Sequence, residues 1–234
     1  MSIRHRDTEI QSGLYAEWVA DSDKLVIGFR GLNPGKNLRF HFVDVTNDIP
    51  INKVYLRDSE FVWYHHGIAG YTKTVDETAE LLAGFIAERG IKRVVSVGVS
   101  GGGYAALLFG WLLEFDHVIA VSPQTCLGSG TGIETYAHGL RFLDNLAASD
   151  RAQREYFDLA PLLGITADIK SEFHVHYSED QPEDRFHAER VRGLPGVKLH
   201  AYQEGAHRLA LHMARGGVLR SLLMDALATK PIAP

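Results

Sequence analysis

A single cysteine, Cys126, stands in 234 residues, so no disulfide can form within the chain, and a reducing compartment, the cytoplasm, is the expected setting. Long apolar runs are missing as well. No stretch approaches the ~20 apolar residues that cross a bilayer, and Met1-Ser-Ile-Arg-His-Arg-Asp7 is not followed by the apolar core of an export signal. Charge of one sign is scarce: 24 Lys and Arg stand against 29 Asp and Glu, for a net charge of -5. Without a basic or acidic run, neither nucleic acid nor an anionic membrane is expected as a partner, and a small, roughly neutral molecule is. Internal repeats, low-complexity tracts and interdomain linkers are absent, so residues 1–234 read as one domain.

Glycine is where the chain concentrates its information. The run Arg93-Val-Val-Ser-Val-Gly-Val-Ser-Gly-Gly-Gly103 is an apolar, β-branched stretch that opens into Gly98-Val-Ser-Gly-Gly102 and then into the Ala/Leu-rich Tyr104–Glu114. This composition predicts a buried strand over 93–99 and a mostly buried helix over 104–114. Between them Ser100 must sit on a sharp turn if its hydroxyl is to stand clear of the backbone. Such a turn needs glycine or a very small residue two places before and two after, and both positions are Gly. It also leaves Ser100 at the start of a helix, where N–H groups without an intrahelical partner can stabilise an oxyanion. A phosphate-binding loop is the competing reading, but Gly98, Gly101, Gly102 and Gly103 do not give G-x-G-x-x-G and no G-K-[ST] follows.

Upstream, Tyr15–Ala20 and Lys24–Arg30 read as strands joined through Asp21-Ser-Asp23 in a hairpin or meander at a sheet edge, with Phe40–Asp44 and Lys53–Arg57 as further short strands. Thr74-Val-Asp-Glu77 is a capping box; behind it Leu81, Leu82, Phe85 and Ile86 share a face, and Gly90 ends the helix. Downstream, His117–Ser122, Glu172–Tyr177 and Val197–Tyr202 are strand candidates, and Arg185–Val191 and Val218–Ala228 are helix candidates. Strands alternating with helices imply an α/β fold of three layers, a mostly parallel central sheet with helices on both faces. Ligands bind such sheets beyond the carboxyl ends of the strands, where Ser100 sits. The long connection over 125–169 reads as a small helical lid over that end, with an ordinary pair of packing helices as the alternative.

A serine nucleophile needs a general base within reach and a third group to orient the base. In hydrolases built on such an elbow the chain order is nucleophile, acid, base. His207, in Gly205-Ala-His207 just after the last strand candidate, is the expected base; His200 lies inside a strand and His212 on a helix face. For the acid, the stretch after Tyr177 offers Glu179, Asp180, Glu183 and Asp184. Asp180 is preferred because it lies three residues beyond the strand end, while Asp184, just before a helical pattern, is either the alternative acid or an N-cap.

The strand and elbow Gly98-Val-Ser-Gly-Gly102, the carboxylate region after the next-to-last strand and Gly205-Ala-His207 after the last together resemble the α/β-hydrolase superfamily, over about residues 14–228. Trp63-Tyr-His-His-Gly-Ile-Ala-Gly70, Gly103-Tyr-Ala-Ala and Val121-Ser-Pro-Gln124 look like a group of bacterial hydrolases of poorly defined substrate. The resemblance implies a second oxyanion donor from the loop after an early strand. A His-Gly dipeptide often stands there, where this chain has Arg30-Gly31-Leu32, and the backbone N–H groups of Leu32 and Gly101 are the implied pair. The superfamily's acid loop more often reads Gly-x-x-Asp, and Tyr177 replaces that glycine. Arg30, Trp63 and Tyr64 are the candidate substrate contacts, although aromatics after a strand end fill the core as often as they line a pocket.

His174-Val-His176 puts two imidazoles on one face of a strand and His65-His66 adds two more, but there is no H-E-x-x-H, and neither a metal nor any other cofactor is expected. The expectation is a carboxylesterase-like serine hydrolase that cleaves an ester or related acyl bond of a small molecule through an acyl-enzyme. An acyltransferase with the same triad, or a noncatalytic binding protein on the same fold, is the alternative.

Overall fold

The computed structural model describes residues 13–34, 39–165 and 170–228. Seven strands form one sheet: β1 (Leu14–Glu17), β2 (Lys24–Phe29), β3 (Asn52–Leu56), β4 (Arg93–Val99), β5 (His117–Val121), β6 (Glu172–Ser178) and β7 (Val197–Tyr202). Their order is β1-β3-β2-β4-β5-β6-β7, and every neighbouring pair is parallel except β1 with β3. The helices are α1 (Val43–Thr46), α2 (Val75–Glu88), α3 (Gly101–Leu112), α4 (Gly139–Ala147), α5 (Leu159–Gly164), α6 (Pro182–Glu189), α7 (Leu209–Arg215) and α8 (Val218–Ala228).

Strand β4 is central and packs on both faces, which is why its sequence is a continuous apolar run rather than an alternation. On one face Ile27, Phe29, Val118, Phe173 and Val175 pack with α3, whose Tyr104 to Phe109 are wholly buried, and with apolar residues of α2, α4, α5 and α6. On the other, Val26, Val95, Val97, Ile119 and Val121 meet Leu209 and Met213 of α7 and Leu219 and Leu223 of α8. Helix α2 begins at the expected box: Thr74 Oγ1 accepts from Glu77 N–H, and Glu77 returns a carboxylate oxygen to Lys73 N–H. No helix among the described residues is long and apolar enough to cross a membrane.

Two expectations near the N-terminus are corrected. Strands β1 and β2 are not a hairpin, because β3 inserts between them; the Asn52 side chain accepts from Val19 N–H and donates to the carbonyls of Ser22 and Lys24, tying the intervening turn around the new neighbour. Phe40–Asp44 is not a strand. The chain enters the single turn α1 through Phe42 at φ 70°, and Thr46 Oγ1 donates back to the Phe42 carbonyl.

The described part of the 125–169 segment carries α4, α5 and two single 3-10 turns joined by irregular chain, and residues 166–169 lie outside the described residues. Its ends are joined by Leu127 N–H to the Phe157 carbonyl and Leu159 N–H to the Thr125 carbonyl, and Ile133, Phe142, Leu146 and Leu163 pack into the main core.

Enclosed imidazoles, His65 and His187 among them, make the stability of this packing depend on pH. His65 donates from Nε2 to Tyr104 Oη, which itself donates to the Tyr156 carbonyl, while His187 Nδ1 accepts from Thr125 N–H. Burial presses His65 down to about 3 and His187 to about 4. Unfolded histidine titrates near 6.5, so between about pH 4 and 6.5 the unfolded chain binds more protons and stability rises with pH. The urea midpoint should therefore fall as the pH is lowered from about 7 to about 5, a window above most carboxylate titration. An unchanged midpoint would contradict the enclosure of these rings.

Candidate active site

Ser100 stands between β4 and α3 with φ 56° and ψ -122°, a strained conformation that projects its side chain beyond the carboxyl edge of the sheet. The turn is held by Ser100 N–H to the Val121 carbonyl and by Tyr104 N–H to the Ser100 carbonyl. Its flanking glycines answer to direct sterics. A Cβ at Gly98 would lie 2.0 Å from the Gly102 carbonyl oxygen, and one at Gly102 would lie 2.3 Å from that of Phe29.

Three side chains from three loops converge there. Ser100 Oγ is 2.9 Å from His207 Nε2, and His207 Nδ1 is 2.7 Å from Asp184 Oδ1. His207 follows β7 on the turn Gly205-Ala206, whose φ values of 131° and 45° swing the imidazole back over the sheet. Asp184 comes from the first turn of α6 and is 1% exposed. Burial opposes its charge, but the hydrogen bond from His207 and the charge of that ring, with contributions from Ser122 and Tyr136, outweigh it and hold the carboxyl below its ordinary range.

Of the two carboxylates, the alternative Asp184 and not the preferred Asp180 meets the imidazole. Pro182 takes the first helical position and Gln181 the N-cap, so Asp184 lies within the helix facing inward and is no cap. Asp180 has other work. Its Oδ1 accepts from Ser178 Oγ at 2.5 Å and from Ala206 N–H at 3.0 Å, fastening the acid loop to the base loop one residue before His207. The Ser178 hydrogen bond is the main reason its carboxyl is also held low.

Leu32 and Gly101 are neighbours, since a Cβ on Gly101 would stand 2.6 Å from Leu32 Cγ. Among the described residues neither backbone N–H has a partner, as an oxyanion site requires. Arg30, Trp63 and Tyr64, expected at the substrate, are instead buried braces. The Arg30 guanidinium, 2% exposed, donates to the carbonyls of Asn33 (2.9 Å) and Arg39 (3.2 Å) and so closes the loop that carries Leu32. Tyr64 Oη donates to the Arg30 carbonyl at 2.8 Å, and Trp63 Nε1 to Gln124 Oε1 at 2.6 Å, with the indole wedged beside Gly101. Asp58 accepts from the N–H groups of Glu60, Phe61, Val62 and Tyr64 and shapes that whole turn.

Tyr136 was not foreseen. It belongs to the 125–165 segment, its hydroxyl donates to Asp184 Oδ1 at 2.7 Å, and its ring stacks on the His207 imidazole with centroids 4.2 Å apart. Burial, then the charge of Asp184, raise its phenol well above the ordinary range, so it remains a donor. No sequence pattern marks this residue, because its place depends on the path of an irregular segment.

A second Ser–His–carboxylate chain shows what the geometry at Ser100 adds. In a cleft of about 360 Å³ lined by Glu60, His66, Ser149 and Arg151, His66 bridges Ser149 Oγ (2.5 Å) and Glu60 Oε2 (2.7 Å). Ser149 follows the C-terminal end of α4, where free carbonyls rather than N–H groups point outward, so it lacks the helix N-terminal backbone donors that lie beside Ser100.

No protein-family model matches the chain, and no curated protein matches its sequence. Solved structures do. The capsule O-acetyltransferase of Neisseria meningitidis serogroup A is 14% identical, with 89% of this chain and 91% of that one covered at a TM-score of 0.65. MPT51 of Mycobacterium tuberculosis is 14% identical, with 91% and 93% covered at 0.61. MGS-MChE2, an alpha/beta hydrolase enzyme from the metagenome of lagoon sediments of Mar Chica, Morocco, is 16% identical, with 91% and 92% covered at 0.56. The chain has an α/β-hydrolase-like fold.

The contacts at Gly102 give a stability test. Gly102→Ala is expected to destabilise the fold by about 1–3 kcal/mol in urea unfolding, since the added methyl meets backbone carbonyls that cannot turn aside. A neutral result would mean that the elbow is less tightly held against β2.

Proposed function

We propose that the protein is a serine hydrolase that cleaves an ester or related acyl bond of a small molecule through an acyl-enzyme on Ser100. The observation that carries this reading is the unbroken chain Ser100 Oγ to His207 Nε2 (2.9 Å) and His207 Nδ1 to Asp184 Oδ1 (2.7 Å), built on a strained strand-to-helix turn. His207 takes the serine proton as Oγ attacks the acyl carbon, then delivers it to the leaving oxygen; water next gives a proton to His207 as its oxygen attacks the acyl carbon, and His207 returns that proton to Ser100 Oγ as the acid departs. Asp184 fixes the tautomer with the proton on Nδ1 and stabilises the imidazolium that forms. Leu32 and Gly101 N–H groups receive the developing oxyanion.

Acyl transfer is the second reading, favoured by the likeness to a capsule O-acetyltransferase. In it an alcohol replaces water in the second half-reaction, at the same three residues. Assaying an activated acyl ester with and without added alcohols, and analysing the products, separates the two.

A fluorophosphonate probe is expected to label Ser100 alone, and Ser100→Ala to remove both labelling and at least a thousandfold of kcat, in order of magnitude, while remaining folded. Normal turnover by that variant would sink the proposal. Asp184→Asn should cost up to about 10⁴-fold in kcat through loss of the correct tautomer, whereas Asp180→Asn, which can still accept from Ala206, should cost less than about tenfold. The reverse ranking would assign the acid to Asp180. Tyr136→Phe keeps the stacked ring but deletes a hydrogen bond to the carboxylate, and a fall of about tenfold in kcat with little change in KM is expected from steady-state kinetics.

A further inference from the structure

His174 and His176 take no part in the site at Ser100, yet they are arranged for a ligand of their own. Along the β6–β7 ladder His176 pairs with His200, and all three rings lie on the face of the sheet that α7 and α8 cover only in part. One nitrogen of each of His174, His176 and His200 lies within 4.8 Å of the others. His174 Nδ1 and His200 Nε2 are 3.0 Å apart with ring planes inclined by 8°. His176 is 1% exposed; its Nδ1 lies 3.1 Å from Tyr202 Oη, and its Nε2 has no hydrogen-bond partner.

Behind His174 stands a carboxylate. Glu172 Oε2 is 3.2 Å from His174 Nε2, and Lys198 Nζ holds the other oxygen at 3.0 Å. A proton on Nε2 donated to Glu172 leaves the Nδ1 lone pair of His174 turned toward His200, the arrangement by which carboxylates orient metal-binding histidines. His117 stacks on the outer side of His174, with centroids 4.3 Å apart, and faces the same carboxylate.

We propose that His174, His176 and His200 form a binding site for a borderline divalent transition metal ion, Zn²⁺ first among them. Three imidazoles suit such an ion and not Mg²⁺ or Ca²⁺, which take oxygen ligands. Zn–N bonds of about 2.0–2.1 Å put tetrahedral ligands about 3.4 Å apart, near the 3.0 Å between His174 Nδ1 and His200 Nε2 and inside the 4.8 Å that bounds the set, so small turns of the rings about χ2 would bring the three nitrogens onto one ion. Solvent reaches the half-buried His200, where water completes the coordination. The ion would clamp the edge strand β7 to β6, the two strands whose following loops carry His207 and Asp184.

The test uses the full chain, stripped with a chelator and dialysed against ZnSO4. About one Zn²⁺ per chain is expected, with a rise in Tm that saturates at the same ratio, since an ion bound only by the folded state stabilises it. His174→Gln and His200→Gln should each weaken binding by tenfold or more, Glu172→Gln by about tenfold, and His207→Gln not at all. His200 is only partly buried, so its variant should fold, as circular dichroism of the metal-free protein will show. Absence of stoichiometric binding, binding unchanged in both His174→Gln and His200→Gln, or binding lost in His207→Gln each overturns the proposal.

Discussion

The carboxyl edge of the sheet is organised around one close approach of backbone to backbone. The turn after β4 lies so near the exit of β2 that no side chain atom fits at Gly102, and so near itself that none fits at Gly98. This contact brings Leu32 over Gly101 and lets Ser100 keep a conformation that a free chain would abandon. Strain of this kind persists only where the surroundings over-determine it. Here the surroundings are the parallel ladders to β2 and β5 and the Ser100 to Val121 hydrogen bond.

Much of this was legible in the chain. A β-branched run, a glycine pair spaced about a serine and an Ala/Leu-rich stretch specify strand, turn and helix by local rules alone, and the late Gly-x-His has no other sensible place than the end of the last strand. Which carboxylate faces His207 was harder to read, for a reason that is itself local. Asp180 and Asp184 differ by about one helical turn, and the deciding residue is Pro182: as the first helical residue it moves the cap to Gln181 and turns Asp184 inward. The insertion of β3 between β1 and β2 was not legible, since the hydrophobic patterns of those strands fit a hairpin equally well and the Asn52 side-chain bonds that settle the matter span about thirty residues of chain.

The buried polar residues around Ser100 share one kind of work. Arg30, Tyr64, Asp58 and Gln124 are buried polar groups whose hydrogen bonds end on the backbone or on Trp63, and each fixes a loop that borders Ser100. A loop held by buried donors and acceptors is costly to displace, because any shift leaves a desolvated polar group unmatched. Rigidity at this edge thus comes from polar bracing, whereas apolar packing supplies it within the layers. Tyr136 extends the bracing to the helical segment by touching Asp184 and His207 at once.

The alternation along β6 has a consequence for how the chain avoids misfolding. Phe173, Val175 and Tyr177 enter the apolar layer beneath α3, while Glu172, His174, His176 and Ser178 take the opposite face. A slip of a single residue would exchange the two sets, driving a carboxylate and two imidazoles into hydrocarbon and turning two aromatic rings outward. It would also part the Asp180 side chain from Ala206. Parallel strands close no tight turn that could set their alignment. In this protein the polar face of β6 takes over that task and makes a slip of one residue more expensive than the right alignment.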